Sequence, residues 1–312
     1  MRCILLQYFV IACVLVPATA KAEDPLVFQF SFGSRPTDTG LGRLNAPAGI
    51  TTDADGNVYV ADNEFVKKFT PAGVFISAFG GSGTANGQFR ALVDVAVDAT
   101  GTIYTTEATG ARIQVFTSAG SYLRQWLAIG SFNCAIDPTG AYLVTAAGDS
   151  GRVFRTADGT RVAGFKFSTA FNSFEGCLGI GPTAAVYVAP RQANVVRIYS
   201  LDGASLGQWG TTGPGLGQFE ETGGMTVDSN GRAYVVDGRS GVMVFDSDGT
   251  FLSSFSGFGS AANQISQYRD IAVDNSGNCY VLDSSRRSIS KFSNIATAVT
   301  QSTWGSLKRR YR

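Results

Sequence analysis

The chain has 312 residues, of which 38 are glycine and 16% are charged, and its formal net charge is +1. Average proteins have about 7% glycine and about 25% charged residues, so this composition favours many strands joined by tight turns. Near-neutral charge, with the clustered bases Lys308, Arg309, Arg310 and Arg312 confined to the C-terminus, argues against nucleic acid as a partner.

The first 22 residues are typical of a secretory signal peptide. Arg2 precedes an apolar run from Ile4 to Val16, and small-residue triplets ending at Ala20 and Ala22 follow it. Cleavage after Ala22 would remove Arg2 and Lys21, leaving 23 of the 25 basic side chains against 24 acidic ones. The apolar run is shorter than the roughly 20 residues that span a bilayer. The sequence therefore predicts a secreted or periplasmic protein with no membrane span.

Six segments of the remaining chain align without gaps, and their starts lie 45, 39, 44, 47 and 46 residues apart. They are PAGITTDADGNVYVAD (47 to 62), LVDVAVDATGTIYTTE (92 to 107), SFNCAIDPTGAYLVTA (131 to 146), EGCLGIGPTAAVYVAP (175 to 190), TGGMTVDSNGRAYVVD (222 to 237) and YRDIAVDNSGNCYVLD (268 to 283). A period of about 40 to 50 residues rich in short strands indicates propeller blades.

Each segment predicts a β-hairpin, because two β-branched runs flank a turn that in most blades is Asp-x-x-Gly, as at Asp53 and Gly56. A third strand follows, and a fourth ends near an aromatic residue. The predicted aromatics are Phe79, Trp126, Phe167, Trp209, Phe255 and Trp304. The fold class is therefore all-β, a six-bladed β-propeller of four-stranded antiparallel blades. The blades cover roughly 41–80, 81–127, 128–167, 168–210, 211–257 and 258–305 within one domain, 23–312.

The repeat resembles that of the NHL family, whose pattern is roughly Pro-x-Gly-Ile-x-x-Asp-x-x-Gly-Asn-x-Tyr-Val-x-Asp. Blade 1 follows this pattern from Pro47 to Asp62, and the Gly-Gln-Phe entry occurs at 87–89 and 217–219. The resemblance covers about residues 26–305. Blade 4 departs from it because Gly181 and Ala184 replace the turn Asp and Gly, and blade 3 is short.

Two segments are candidates for the strand that closes the ring in blade 6. Residues 26–33 (LVFQFSFG) and residues 298–305 (AVTQSTWG) both have the character of a fourth strand, which gives seven candidates for six places. We favour the N-terminal one and leave the C-terminal one as the alternative. Closure matters because an open ring would expose strand edges.

The mature chain would keep Cys134, Cys177 and Cys279, an odd number that cannot form a complete disulfide framework. We expect Cys279 to be a buried, unreactive thiol. Cys134 and Cys177 lie one aligned position apart on neighbouring blades, and we expect no disulfide between them.

The chain contains no histidine. Amidating lyases, streptogramin lyases and paraoxonases, which are propeller enzymes similar to the NHL type, depend on histidine, so the resemblance does not extend to those activities. A zinc site is also disfavoured, because histidine is the commonest metal ligand and the cysteines lack paired zinc spacing.

The third aligned column lies at the start of each first strand, where the channel of a propeller opens. It contains Gly49, Asp94, Asn133, Cys177, Gly224 and Asp270. Asp94, Asn133 and Asp270, with Glu175 nearby, form an all-oxygen set of the type that calcium prefers. The residue types resemble those of calcium-dependent gluconolactonase-like propellers, in which a metal polarises a lactone, although no motif of that family is present. The alternative is that these side chains bind water and neighbouring backbone amides.

Acids that recur at the end of the second strand, Asp62, Glu107, Asp237 and Asp283, are interpreted as structural. Function is sought instead in residues that break the repeat. The ligand-binding candidates are Arg90, Asp94, Asn133, Glu175, Arg269 and Asp270. Glu220 and Glu221 lie near them, and Phe171 and Phe174 are candidates for an apolar wall.

The sequence thus predicts a monomeric binding module without a cofactor, whose partner is a protein, a glycan or a small ligand. The alternative function is a calcium-dependent hydrolase of the gluconolactonase type.

Overall fold

The computed structural model describes residues 25–130, 133–147, 150–166, 177–190 and 193–294. The predicted signal peptide and the C-terminal strand candidate lie outside these residues. Six four-stranded antiparallel sheets form a ring of blades, each built in the order first to fourth strand from the centre outwards. One short 3-10 helix, Gly40–Gly42, occurs in the described part. No described helix is long and apolar enough to cross a membrane.

Blades 1 to 3 each take their four strands in chain order. After β1 (Val27–Phe32), blade 1 contains β2 (Pro47–Thr52), β3 (Val58–Asp62), β4 (Phe65–Phe69) and β5 (Phe75–Gly80). Blade 2 contains β6 (Leu92–Val97), β7 (Ile103–Glu107), β8 (Arg112–Phe116) and β9 (Tyr122–Leu127). Blade 3 contains β10 (Cys134–Ile136), β11 (Tyr142–Ala147), β12 (Ser150–Arg155) and β13 (Arg161–Lys166).

Blades 4 and 5 follow the same plan, and blade 6 does not. Blade 4 contains β14 (Cys177–Ile180), β15 (Val186–Ala189), β16 (Val196–Tyr199) and β17 (Ser205–Trp209). Its link to blade 5 carries the short parallel pair β18 (Thr211–Thr212) and β19 (Gln218–Phe219). Blade 5 contains β20 (Thr222–Val227), β21 (Ala233–Asp237), β22 (Gly241–Phe245) and β23 (Phe251–Phe255). Blade 6 contributes β24 (Tyr268–Val273), β25 (Cys279–Asp283) and β26 (Ser288–Ser293).

The fourth strand of blade 6 is β1, which pairs antiparallel with β26 from Val27 opposite Ser293 to Phe32 opposite Ile289. The N-terminal candidate therefore closes the ring. Phe32 is fully buried and packs against Phe69 of blade 1, with the ring centroids 5.3 Å apart and the ring planes tilted by 57°. The closing strand thus joins the first and last described strands and also fills the interface between blades 6 and 1.

The Asp-x-x-Gly turns are held by their aspartates, as the sequence predicts. Asp98 Oδ1 accepts the backbone N–H groups of Thr100 and Thr102, at 2.9 Å each, and Gly101 takes a φ of +84°. The Tyr104 hydroxyl donates to the other oxygen, Asp98 Oδ2, at 3.3 Å. The same tyrosine-to-aspartate bond recurs in blades 1, 5 and 6, so one local device stabilises most of the inner hairpins.

Aromatic residues of the fourth strands pack between blades. Phe79 of blade 1 lies 4.8 Å from Phe116 of blade 2, and Trp209 of blade 4 lies 4.7 Å from Phe245 of blade 5. In blade 3 the packed residue is Phe165, whose ring stacks 4.9 Å from Tyr199. The predicted Phe167 lies outside the described residues, as does Trp304, and Phe32 of β1 fills the equivalent place in blade 6.

Candidate functional site

A cavity of about 150 Å³ lies on the axis of the ring and is lined by residues of all six first strands. The loops that precede the first strands, and those between second and third strands, surround one end, which we call the mouth end. The Asp-x-x-Gly turns and the turns between third and fourth strands surround the opposite turn end. Asp94, Asn133 and Asp270 all line the cavity, so the sequence correctly grouped three of its candidates in space.

Asp94 connects blades 2 and 3. It is the third residue of β6 and is only 4% exposed. Its Oδ1 accepts the N–H of Val95 at 2.8 Å, and its Oδ2 accepts the N–H of Cys134 in blade 3 at 2.8 Å. The carboxylate therefore satisfies a backbone donor of the neighbouring first strand.

Asp270 makes the equivalent connection from blade 6 to blade 1. It is 9% exposed, and its Oδ1 accepts the N–H of Ile271 at 2.8 Å. Its Oδ2 accepts the N–H of Ile50 in blade 1 at 2.9 Å. Neighbouring strands therefore enclose both aspartates, which accept backbone amides as in the alternative interpretation of this column.

Glycines in the same column make this enclosure possible. A Cβ added to Gly49 of blade 1 would lie 2.1 Å from Asp94 Oδ1. A Cβ added to Gly224 of blade 5 would lie 2.8 Å from the Cα of Asp270. The glycines let the first strands of adjacent blades approach closely, and the two carboxylates lie on either side of the first strand of blade 1.

Burial changes the protonation of both acids. Removal from water raises the pKa of Asp94 well above its ordinary value, and the charge of Asp270 raises it further. Burial also raises the pKa of Asp270 to about 7, against the lowering effect of its backbone hydrogen bonds and of the Arg269 charge. Near neutral pH the cavity can thus hold protonated carboxyl groups, which donate as well as accept hydrogen bonds.

The other candidates surround this pair. Asn133 is half-buried in the cavity wall, while Arg90 and Arg269 are exposed at the starts of the first strands of blades 2 and 6. Glu175, Phe171 and Phe174 lie outside the described residues, so the structure places none of them.

The acids at the ends of the second strands are structural, as predicted. Asp62 accepts the N–H groups of Asn45 and Ala46 and forms a buried ion pair of 2.6 Å with Lys67. Glu107 pairs with Arg112 at 2.6 Å and accepts the N–H of Arg90. Asp237 and Asp283 likewise accept backbone N–H groups of the entering loops.

Sequence reasoning missed Cys134 as part of the channel. It considered this residue only for a disulfide, whereas the structure buries it in the cavity wall as a free thiol beside Asp94. Its position next to Asn133 in the first strand was the available signal. Burial, and then the charges of Asp94 and Asp270, raise the pKa of the Cys134 thiol well above its usual range.

Cys134 and Cys279 should therefore resist thiol reagents. Cys279 is fully buried and free, and burial raises the pKa of its thiol as well. In protein produced as residues 23–312 and carrying Cys177→Ser, we expect Ellman's reagent to react only as fast as the protein unfolds, because thiolate is the reacting species and burial keeps both groups as thiols. Stoichiometric reaction within the mixing time under native conditions, with unfolded protein as the reference, would contradict the burial of these thiols.

Comparison with known proteins identifies the fold and no family. No protein-family model matches the chain, and no curated protein matches it. A Bacteroides thetaiotaomicron protein of unknown function superposes with a TM-score of 0.67 at 18% identity, covering 86% of this chain and 75% of that one. Hydrazine synthase of Kuenenia stuttgartiensis gives a TM-score of 0.58 at 11% identity, covering 84% of this chain and 98% of that one. Virginiamycin B lyase of Staphylococcus aureus gives a TM-score of 0.58 at 12% identity, covering 86% of this chain and 100% of that one. At these identities the similarity is one of fold.

Proposed function

We propose that this protein is an exported propeller that binds a ligand at the mouth end of its channel without transforming it. The observation that carries the proposal is the break in the sixfold repeat at that end. Asp94 and Asp270, with Arg90 and Arg269 above them, belong to blades 2 and 6, and they flank blade 1, where Gly49 has no side chain. Convergent polar groups at a concave opening are the usual mark of a binding site.

Two further points support binding rather than catalysis. The chain has no histidine to transfer protons at neutral pH. Each oxygen of Asp94 and Asp270 already accepts a backbone N–H. A carboxylate that reacted as an acid or base would have to break these hydrogen bonds, which connect neighbouring blades. Export rests on the predicted signal peptide at residues 1–22.

The proposal can be tested with peptide, glycan and metabolite arrays probed with the mature protein. Asn133→Trp should obstruct the mouth end, and Thr160→Trp adds the same bulk at an exposed turn-end position of the same blade. We expect at least one ligand that binds the wild type and Thr160→Trp and fails to bind Asn133→Trp. Binding that survives Asn133→Trp, or a ligand recovered chemically altered, would contradict the proposal.

A calcium-dependent hydrolase is the second candidate, because a cation would relieve the repulsion between Asp94 and Asp270. Their oxygens are nevertheless occupied by backbone donors, and the described residues contain no group of three or more acidic, thiol or imidazole side chains able to hold a metal. These residues alone do not complete a calcium site, so the candidate depends on Glu175.

Elemental analysis tests this candidate on protein purified without added metal. Stoichiometric calcium that is lost in Glu175→Gln would favour the hydrolase. Calcium-free protein whose melting temperature is unchanged by added calcium would remove it.

A further inference from the structure

The charges of the propeller are distributed unequally between its two ends. The turn-end loops in the described part carry many aspartates, and the base within these loops is Arg232, with Arg155 and Arg161 at the adjoining strand ends. These aspartates are Asp53, Asp55, Asp98, Asp137, Asp158, Asp202, Asp228, Asp246, Asp248 and Asp274. Several of them hold turns, yet their charge contributes to the field around that end whatever their hydrogen bonds.

Around blades 6, 1 and 2, the mouth end is instead positively charged. Arg43, Arg90, Arg269 and Arg287 are all exposed there, and none forms an ion pair with another described residue. Among the described acids in the mouth-end loops of blades 6, 1 and 2, only Glu64 forms no ion pair. We call these four arginines the arginine sector.

The acids nearest to the arginine sector either form ion pairs with other bases or are buried beneath the loops. Asp38 pairs with Arg35 at 3.1 Å, and the buried Asp62 and Asp283 pair with Lys67 and Arg286. Asp94 and Asp270 are enclosed beneath the loops, and their raised pKa values reduce the negative charge that they contribute. The sector therefore presents net positive charge to solvent.

Apolar side chains accompany these arginines on the same loops. Leu41, two residues before Arg43, is 47% exposed, and Phe258, in the loop that leads to Arg269, is 54% exposed. Aromatic residues and arginine are both enriched at protein–protein interfaces, and Leu41 adds apolar surface beside them. Guanidinium groups also bind carboxylates in a bidentate geometry.

We propose that the arginine sector binds an acidic peptide segment of a protein partner. This inference rests on the proposed function and deepens it by naming the class of ligand. Acidic side chains of the segment bind Arg43, Arg90, Arg269 and Arg287, and an apolar side chain contacts Phe258 or Leu41. The acidic turn end repels such a segment, so the polarity of the ring directs it to the mouth end.

Fluorescence anisotropy with a labelled peptide of glutamate and leucine tests the inference on the mature protein. Arg90→Ala with Arg269→Ala should weaken binding about five- to tenfold, since exposed charge pairs contribute up to ~1 kcal/mol each. Arg155→Ala, an exposed base at the turn end, is the matched control and should leave affinity unchanged. Binding should also weaken as salt increases.

Three results would overturn the inference. The first is equal affinity for the glutamate peptide and for the same peptide with glutamine in place of glutamate. The second is a loss of affinity in Arg155→Ala as large as that in the double arginine variant. The third is tighter binding of polygalacturonate than of the peptide. Salt-sensitive self-association that competes with the peptide would instead assign the sector to a second copy of this chain. A neutral ligand that Asn133→Trp excludes, combined with no peptide binding, would refute the acidic partner and leave the proposed function intact.

Discussion

Removing residues 23–33 should abolish cooperative folding or lower the melting temperature by more than about 10 °C. The deletion takes away β1, which leaves the edge of β26 unpaired and exposes the interface filled by Phe32. Losing one fully buried aromatic costs about 3–5 kcal/mol, and each kcal/mol shifts the melting temperature by about 2–4 °C in a protein of this size class. Circular dichroism during heating measures the change.

A chain of residues 23–294 is the matched control, and its melting temperature should stay close to that of the 23–312 chain. Phe32→Ala in the 23–312 chain separates the interface contact from the strand itself and should give an intermediate loss. A large effect of the C-terminal truncation with a small effect of the N-terminal one would assign the closing role to residues 298–305.

Replacing Asp94 and Asp270 together by alanine should destabilise the protein strongly, and more at pH 5 than at pH 8. The change leaves buried N–H groups of Val95, Cys134, Ile271 and Ile50 without acceptors, at about 1–3 kcal/mol for each group that stays unpaired. Urea unfolding at both pH values gives the free energies of unfolding.

The pH dependence follows from the raised pKa values of the two acids. Between about pH 4 and pH 7 the folded wild type keeps protons that the unfolded chain has released, so its free energy of unfolding falls as pH rises through this window. Asp270 alone accounts for roughly 1–4 kcal/mol of this fall. The alanine variant lacks both groups, so its deficit relative to wild type should shrink toward pH 8.

Asp270→Asn serves as the control, because it cannot titrate and keeps one side-chain acceptor. Its deficit relative to wild type should also shrink with pH and should be smaller than that of the double alanine variant. A deficit that is the same at pH 5 and pH 8 would contradict the assigned pKa shifts.

The arrangement of strands in a blade could be predicted because most blades form the same inner hairpin turn from the same residue types. Asp98, Gly101 and Tyr104 form a turn whose hydrogen bonds lie within seven residues, so the pattern in the sequence contains the whole device. Blade 3 was harder, because strand alternation in the sequence does not distinguish Phe165 from Phe167. In the described part of the chain, Phe165 packs against Tyr199 of blade 4, a contact that the repeat pattern does not specify.

The sequence predicted which residues share the cavity and offered backbone amides as their partners, but it did not predict how tightly these residues are enclosed. Aligned columns identified Asp94 and Asp270, yet they carry no information on how closely neighbouring first strands approach. That distance depends on Gly49 and Gly224, each of which acts on the blade that follows its own. The main role of Asp94 and Asp270 is therefore to accept hydrogen bonds from backbone N–H groups of the neighbouring blade. A ligand that contacts them must enter between the mouth-end loops.

The pairing of β1 with β26 also sets the order of events in folding. Ser31 and Ser290, whose hydroxyl groups hydrogen-bond across this pair, are separated by 259 positions in the chain. Contacts at such separation form slowly, because the entropy of closing a long loop is lost before any contact repays it. β1 is synthesised before β26 and pairs with it only after blade 6 has formed, so a nascent chain keeps an open ring. Fragments that lack blade 6 leave β1 unpaired and should be targets for proteases.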